Sequence, residues 1–438
     1  MPQLEVRYRP PSDLTPDPRN ARTHSRRQLQ QICESIRSFG FVSPVLVDED
    51  GRLIAGHGRW EAAGVLEMDL IPVIALRGLS DTQKRGLALA DNKIASNAGW
   101  DIELLNTELA DLSEMTLDFS LDATGFEVGE IDFAIEQNRD PKLEAFEQVE
   151  VPSSDTPPIS RFGDLWLLGD HRVHCEDARS PEAYARLMGE DVADAGFTDP
   201  PYNVPIDGHV SGKGKVTHRE FVHASGELSS SEFATFLSDA LSLGSKHTRK
   251  GAVWFTFMDW RHTSEILQAG QTAFDDMLNL CVWAKTNGGM GSLYRSQHEL
   301  VFVWKKGHAS HTNNVQLGKY GRNRTNVWSY AGVNTFRPGR LEELQGHPTA
   351  KPVDLVKDAL LDVTKRGDIV LDPFLGAGST LIAAERTGRQ LRGIEIDPTY
   401  VDVVLRRYRE ETGDEPIRAS DGVAFSDVER LLREGAAS

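Results

Sequence analysis

Cysteine is scarce. Cys33, Cys175 and Cys281 are the three in 438 residues, and they stand far apart in the chain. That spacing matches neither a disulfide framework nor a Cys-x-x-Cys metal site, so no metal is expected and a reducing cytoplasm is the expected compartment. Long apolar runs are missing too. None approaches membrane-spanning length, and the opening "MPQLEVRYRPPSDLTP" lacks the apolar stretch that directs secretion, so no membrane partner is expected. Positive charge is short overall. A formal net charge of −18 argues against a protein that coats polyanions with its whole surface, but it leaves room for a local basic patch. What remains is a globular composition, 39% hydrophobic and 26% charged, in a chain long enough for roughly two or three domains.

The clearest break lies at residues 138–160, "NRDPKLEAFEQVEVPSSDTPPIS", an acidic, Pro-rich stretch with no helical apolar stripe that reads as a linker. It divides the chain into residues 1–137 and 161–438. Ahead of it, Leu29, Ile32, Ile36 and Phe39 share one helical face. "PVLVDEDGRLIAG" reads as two strands about a turn at Asp50-Gly51, "HGRWEAAGVLEM" as a helix, "LIPVIAL" as a strand and "DTQKRGLALADNKIA" as a helix. These make a small α+β domain. Behind the linker, apolar strands ("DAGFT", "GAVWFTF", "LCVWAK", "ELVFVWKKG", "DIVLD", "LRGIEI") alternate with helical patterns. That is the signature of an α/β fold with a mostly parallel, doubly wound sheet. "LCVWAK" and "ELVFVWKKG" lie too close together for an intervening helix and predict an antiparallel hairpin at one edge.

Two stretches carry chemistry. In "FTDPPYN", a strand runs into Asp199, and Pro200 and Pro201 then remove two backbone donors and fix φ, so the segment is a stiff loop ahead of Tyr202. In "DIVLDPFLGAGST", a strand ends at Asp372, and Gly376 and Gly378 allow close approach of a ligand to a helix opening near Ser379. The next strand ends on Glu395 and Asp397, either of which is placed to bind ribose hydroxyls. A Gly-x-Gly alone is a weak signal that also fits a tight turn. No Lys-Ser/Thr pair follows the glycines, so this is not a triphosphate loop, and a nucleoside-containing cofactor without a triphosphate fits better.

Together, "TDPPY" and "DPFLGAGST" resemble the motifs of the DNA amino-methyltransferases, and their order resembles that of the permuted β class. The resemblance extends over roughly residues 160–410, through "LGDHRVHCEDA" and "HPTAKPVDLVKDAL". It implies a Rossmann-like S-adenosylmethionine-dependent methyltransferase domain. It further implies that Asp199 and the Pro200 carbonyl accept the hydrogens of the target amine, that Pro201 keeps the loop rigid, and that Tyr202 stacks on a flipped base. Asp177, Asp372, Phe374, Gly376, Gly378, Ser379, Thr380, Glu395, His347, Thr349 and Lys351 are the implied cofactor-binding set. Adenine N6 in double-stranded DNA is the leading target, because cytosine-N4 enzymes more often carry Ser where Asp199 stands. Cytosine N4 is the near rival and RNA a weaker one. A nucleotide-dependent DNA-binding protein with a vestigial transferase half is the competitor from another class.

Residues 281–351 hold ten Lys and Arg against three acids, a net of +7 that leaves −25 for the rest. The resemblance places target recognition within 305–346, so Lys319, Arg322, Arg324, Arg337 and Arg340 are candidate DNA contacts, with a solvated basic loop as the plain alternative. "DGHVSGKGKVTHREF" reads as a lid over the site. Residues from about 10 to 135 resemble the ParB/sulfiredoxin-like N-terminal domain, most specifically in "AGHGRWEAA". There Gly56, His57, Gly58 and Arg59 open a helix that is suited to hold an anion, which makes a nucleotide a candidate ligand. The sequence departs from the chromosome-segregation branch in reading G-H-G-R, and no helix-turn-helix domain is expected to follow. An accessory DNA- or nucleotide-binding role is the neutral reading, and a homodimer is left open.

Overall fold

The structure is a computed structural model that describes residues 4–115, 117–138, 157–204, 226–286, 293–319, 322–331 and 351–436. Most of the linker read at 138–160 and the lid read at 207–221 lie outside the described residues. The chain separates into two compact units, Met1–Asp140 and Pro141–Ser438.

The first unit is built on a four-stranded sheet of β1 (Val6–Arg9), β2 (Val45–Val47), β3 (Leu53–Ala55) and β4 (Ile71–Ala75), in the order β1-β4-β2-β3. Leu14, Val45, Val47, Leu53, Ile71 and Val73 form its core. The β2–β3 turn closes as expected at Asp50-Gly51, where the Asp48 carboxylate accepts the N–H groups of Asp50 and Arg52. Helix α1 (Arg26–Phe39) opens where the Ser25 hydroxyl accepts the Gln28 N–H, and it buries Cys33 and Ile36 against Ala62 of α2 (His57–Val65). Helix α3 (Asp81–Ala95) starts from a reciprocal Ser80–Gln83 capping box. Two further helices were not anticipated. Helix α4 (Ile102–Glu114), capped by Asp101, and α5 (Val128–Asn138) share a small core of Leu109, Leu121, Ile131 and Ala134.

The second unit holds a ten-stranded sheet. Its strands are β5 (Leu165–Leu168), β6 (His171–Cys175), β7 (Ala193–Thr198), β8 (Thr248–Met258), β9 (Asp276–Ala284), β10 (His298–Lys305), β11 (Val327–Ser329), β12 (Ile369–Asp372), β13 (Gln390–Glu395) and β14 (Ile417–Arg418). The order is β11-β9-β10-β8-β7-β12-β13-β6-β5-β14. The central five, β8-β7-β12-β13-β6, are parallel throughout. Alternate residues of β8 point into two cores. Trp254 and Met258 pack with α6 (Pro181–Met188), α7 (Ser230–Lys246) and α8 (Thr263–Ala273). Val253, Phe255 and Phe257 pack with α9 (Val353–Val363), α10 (Ser379–Thr387) and α11 (Pro398–Thr412). Covering both faces requires the near-continuous apolar strands seen in the sequence. A last helix, α12 (Phe425–Ala436), adds Phe425 and Val428 to the second core.

The expected antiparallel pair forms from β9 and β10, but it is not an edge hairpin. Strand β10 is inserted between β8 and β9, and β11 adds outside β9 in parallel register. The chain enters this unit through a strap in which the Asp402 carboxylate accepts the N–H groups of Ile159 and Ser160 at 2.7 and 2.9 Å. No helix among the described residues is long and apolar enough to cross a membrane.

Because each unit has its own core, deleting residues 1–140 is expected to leave a fragment that unfolds in one cooperative thermal transition. A fragment that aggregates or shows no such transition in a melting experiment would contradict two independent cores.

Candidate active site

The parallel strands β7, β12, β13 and β6 are neighbours and end at one edge of the sheet. Each runs into an acid there: Asp199 after β7, Asp372 closing β12, Glu395 closing β13, and Asp177 just past β6. Side chains far apart in sequence are thus collected at the carboxyl ends of adjacent strands, where doubly wound sheets bind ligands.

Asp199 sits at the centre of a buried charge network. Its Oδ1 accepts the Tyr202 hydroxyl at 2.6 Å, and its Oδ2 is paired with the Lys351 ammonium. Lys351 also lies 3.2 Å from Glu299 Oε2, the Tyr202 hydroxyl reaches that same oxygen at 3.0 Å, and Lys285 pairs with Glu299 Oε1 at 2.5 Å. The rings of Phe257, Tyr202 and Trp283 surround the Lys351 ammonium at 5.1, 5.6 and 5.8 Å. The Lys351 side chain is 4% exposed and Glu299 12%, whereas Asp199 is 21% exposed, so Asp199 is the member of this trio most open to a ligand. Burial raises the proton affinity of Asp199, Lys351 opposes that rise, and Glu299 adds to it. Burial works against charge on Lys351, yet Asp199 and Glu299 hold its pKa above the ordinary value. Glu299 stays at about 2, because Lys351 and Lys285 outweigh its burial.

The glycine loop follows the expected strand–loop–helix path. Gly376 and Gly378 have φ of +53° and +82°, and a Cβ at Gly378 would meet Val404 at 3.0 Å. Asp372 accepts the Phe374 N–H at 3.1 Å and the Thr380 hydroxyl at 2.6 Å, while burial pushes its pKa up to about 7. Glu395 accepts the N–H groups of Gly376 and Asp397 at 2.8 and 2.9 Å, and burial raises it to about 7 as well. The Ser379 hydroxyl donates to the Lys351 carbonyl at 2.8 Å. Phe374 lies 5.8 Å from the Phe236 ring. Beside Phe236 is a cavity of about 340 Å³, lined also by Arg179, Leu228, Thr235 and Asp239. Asp177 is gripped by Arg179 at 2.6 and 3.0 Å.

This donor and acceptor set fits a nucleoside cofactor without phosphates. A carboxylate offers about four acceptor positions, and the two backbone bonds to Glu395 leave capacity for ribose hydroxyls. The loop's own contacts are acids and hydroxyls, which do not compensate a polyphosphate.

The remaining sequence expectations fare differently. Lys351, expected among the cofactor ligands, joins the Asp199 network through its side chain and meets the glycine-loop helix at Ser379 through its carbonyl. Arg322 and Arg324 are not on a surface open to DNA. They bind Asp358 and Asp362 of α9 at 2.8–3.3 Å, with side chains 7% and 18% exposed, and Arg324 also meets the Tyr330 hydroxyl. Lys319 is exposed. Arg337, Arg340, His347 and Thr349 lie outside the described residues. Glu299 and Lys285 were missed as site residues. In the first unit, Gly56 takes a left-handed conformation ahead of α2. There His57 Nε2 and Arg59 Nε are buried without hydrogen-bond partners among the described residues.

Comparison with known proteins agrees with this geometry. A family model described as DNA methylase, covering the N6 and N4 enzymes, matches residues 193–406. The ParB N-terminal domain matches residues 2–93. The chain joins an N-terminal ParB domain to a C-terminal N6/N4-type DNA methyltransferase domain. Over 83 residues it is 54% identical to the ParB-like nuclease domain-containing protein YnaK of Escherichia coli (strain K12), covering 19% of this chain and 95% of that one. The Type II methyltransferase M2.DpnII of Streptococcus pneumoniae is 28% identical over 225 residues, 49% of this chain and 82% of its own. The crystal structure of the M1.HpyAVI–SAM complex aligns with a TM-score of 0.39 at 18% identity, over 54% of this chain and 97% of that one. The methylase depends on S-adenosylmethionine.

One expectation is overturned. A ParB-methyltransferase HTH domain matches residues 103–162, so a helix-turn-helix module does follow the first domain. The match includes α4 and α5 and runs through the interval read as a linker. Leu105, Leu109 and Leu112, spaced as one helical face behind the Asp101 cap, were the overlooked signal.

The buried pairs of Arg322 give a direct check. Replacing Arg322 by Ala is expected to lower unfolding free energy by about 3 kcal/mol, because it strands Asp362 without one of its counter-ions. The salt slope of DNA binding should stay unchanged. A stability change within experimental error in urea titrations, or a flattened salt slope, would return this side chain to the DNA face.

Proposed function

We propose that the methylase transfers a methyl group to the N6 amine of adenine in double-stranded DNA. The observation that carries this reading is Asp199 at the open end of β7, followed by two donor-free prolines and by Tyr202, whose hydroxyl is fixed on Asp199.

The physical demand comes from the amine. Its lone pair is conjugated with the ring, so it is a poor nucleophile until its hydrogens are held and developing positive charge is stabilised. The Asp199 carboxylate and the Pro200 carbonyl form the acceptor pair. Prolines at 200 and 201 offer no N–H to compete for the carboxylate. Tyr202 is half-buried, with its hydroxyl anchored between Asp199 and Glu299, so its ring is a preset surface for a base taken out of the duplex. When bound, S-adenosylmethionine supplies the electrophilic methyl group. As the nitrogen gains that methyl it sheds one proton, and Asp199, whose proton affinity is raised by burial, is the group placed to take it. Asp372 and Glu395, with the turn at Gly376 and Gly378, are the residues that would hold the donor. An aspartate at position 199, where serine is commoner in cytosine enzymes, supports adenine. Work on DNA points to the cytoplasm as the compartment.

Asp199→Ala is expected to reduce methyl incorporation into unmethylated amplified genomic DNA by well over tenfold, a loss above about 1.4 kcal/mol in the transition state. Calorimetric affinity for S-adenosylmethionine should be nearly unchanged. Nucleoside analysis of DNA treated with the wild type should show N6-methyladenine. N4-methylcytosine instead would assign the other amine, and turnover retained by the alanine variant would remove Asp199 from the reaction.

A further inference from the structure

The network around Asp199 contains one acidic group that the transfer step has not used. Glu299 stands in β10 and shares both of the donors that Asp199 holds, the Lys351 ammonium and the Tyr202 hydroxyl. The Tyr202 hydroxyl carries one hydrogen and lies 2.6 Å from Asp199 Oδ1 and 3.0 Å from Glu299 Oε2. The Lys351 ammonium is paired with Asp199 Oδ2 and lies 3.2 Å from the same Glu299 oxygen. Three aromatic rings lie 5.1–5.8 Å from that ammonium, and the two carboxylates are its ionic partners among the described residues. Meanwhile both Asp199 oxygens already hold a donor, which an arriving amine must share or displace.

We propose that Glu299 is a positioning residue for methyl transfer: it is the alternative acceptor onto which Tyr202 and Lys351 shift as the target amine engages Asp199. The inference rests on the reading of Asp199 as the amine acceptor. The exchange needs only small displacements, because each donor is already within or near hydrogen-bonding range of both carboxylates. Lys285, on Glu299 Oε1, keeps Glu299 ionised and oriented so that the shared oxygen Oε2 faces the two donors. Without Glu299, Lys351 has Asp199 as its one remaining carboxylate partner in this network. The amine would then have to compete with a buried ion pair that has no other resting place.

The charges that face Asp199 set the sign of the test. They are Lys351 ahead of α9, Glu299 on β10 with Lys285 behind it, the neutral Tyr202 hydroxyl, and Asp372 at the end of β12. Removing the Glu299 anion lowers the proton affinity of Asp199, both directly and by leaving Lys351 on it. A reaction that needs ionised Asp199 then loses activity at a lower pH than in the wild type. Removing the Lys285 cation leaves Glu299 less compensated and shifts the acid limb the opposite way. A purely structural role for Glu299 predicts lost activity with no such pair of opposite shifts.

The experiment measures kcat of the full-length protein against pH with unmethylated amplified genomic DNA, at saturating S-adenosylmethionine so that cofactor binding does not enter. Glu299→Gln is expected to lower kcat by about tenfold or more, with calorimetric cofactor affinity unchanged and the acid limb moved to lower pH. Glu299→Asp, which keeps the charge, should recover part of the rate and return the limb toward its original position. Lys285→Met should move the limb to higher pH, and it supplies the readout if Glu299→Gln does not fold. A Glu299→Gln rate within twofold of the wild type would overturn the proposal. So would an unmoved or upward-shifted limb in that variant, or an unmoved or downward-shifted limb in Lys285→Met. Full turnover by Asp199→Ala in the same assay would instead remove the reading on which the proposal rests.

Discussion

A carboxylate that must stay ionised at a largely closed strand end needs a counter-charge that cannot leave. Taking a carboxylate out of water costs several kcal/mol unless a partner compensates it, and burial here pushes Asp199 toward its neutral form. Lys351 supplies the compensation. It in turn is tolerable because Glu299 and three aromatic rings surround it, and Glu299 because Lys285 closes the chain of charges. Two acids and two cations make a neutral set in which one acid, Asp199, keeps an open side.

The same residue ties the two halves of the site together. The Lys351 side chain is on Asp199, while its carbonyl takes the Ser379 hydroxyl at the start of the glycine-loop helix. Asp199 and the glycine loop are thus linked through one residue as well as through the parallel pairing of β7 with β12. The Arg322 and Arg324 cluster secures the next layer, fixing the segment that carries β11 to α9, the helix that begins just after Lys351.

Much of this was legible from the amino acids. Asp199, Asp372 and Glu395 each close an apolar run of strand length and are followed by proline, glycine or a turn, so local pattern alone put them at strand ends. Glu299 was harder to see. It sits inside the apolar strand "HELVFVWK"; the pairing of β10 with β9 brings Lys285 to it, and Lys351 reaches it from the segment ahead of α9. An acid within such a strand does demand a partner, but the sequence does not say which cation provides it. Arg322 and Arg324 were misread for the converse reason. In a stretch rich in Gly and Asn they look solvated, whereas Asp358 and Asp362, spaced one helical turn apart on α9, present a single acidic face to both.

Lys351→Met distinguishes a lysine that serves the base acceptor from one that serves the cofactor, when cofactor affinity and methyl transfer are measured on the same preparation. S-adenosylmethionine affinity is expected to stay close to that of the wild type, with transfer strongly reduced and its acid limb moved to higher pH, since Asp199 would lose the cation that keeps it ionised. A variant that loses cofactor affinity while transferring methyl groups at the full rate once saturated would contradict this expectation and return Lys351 to the cofactor site.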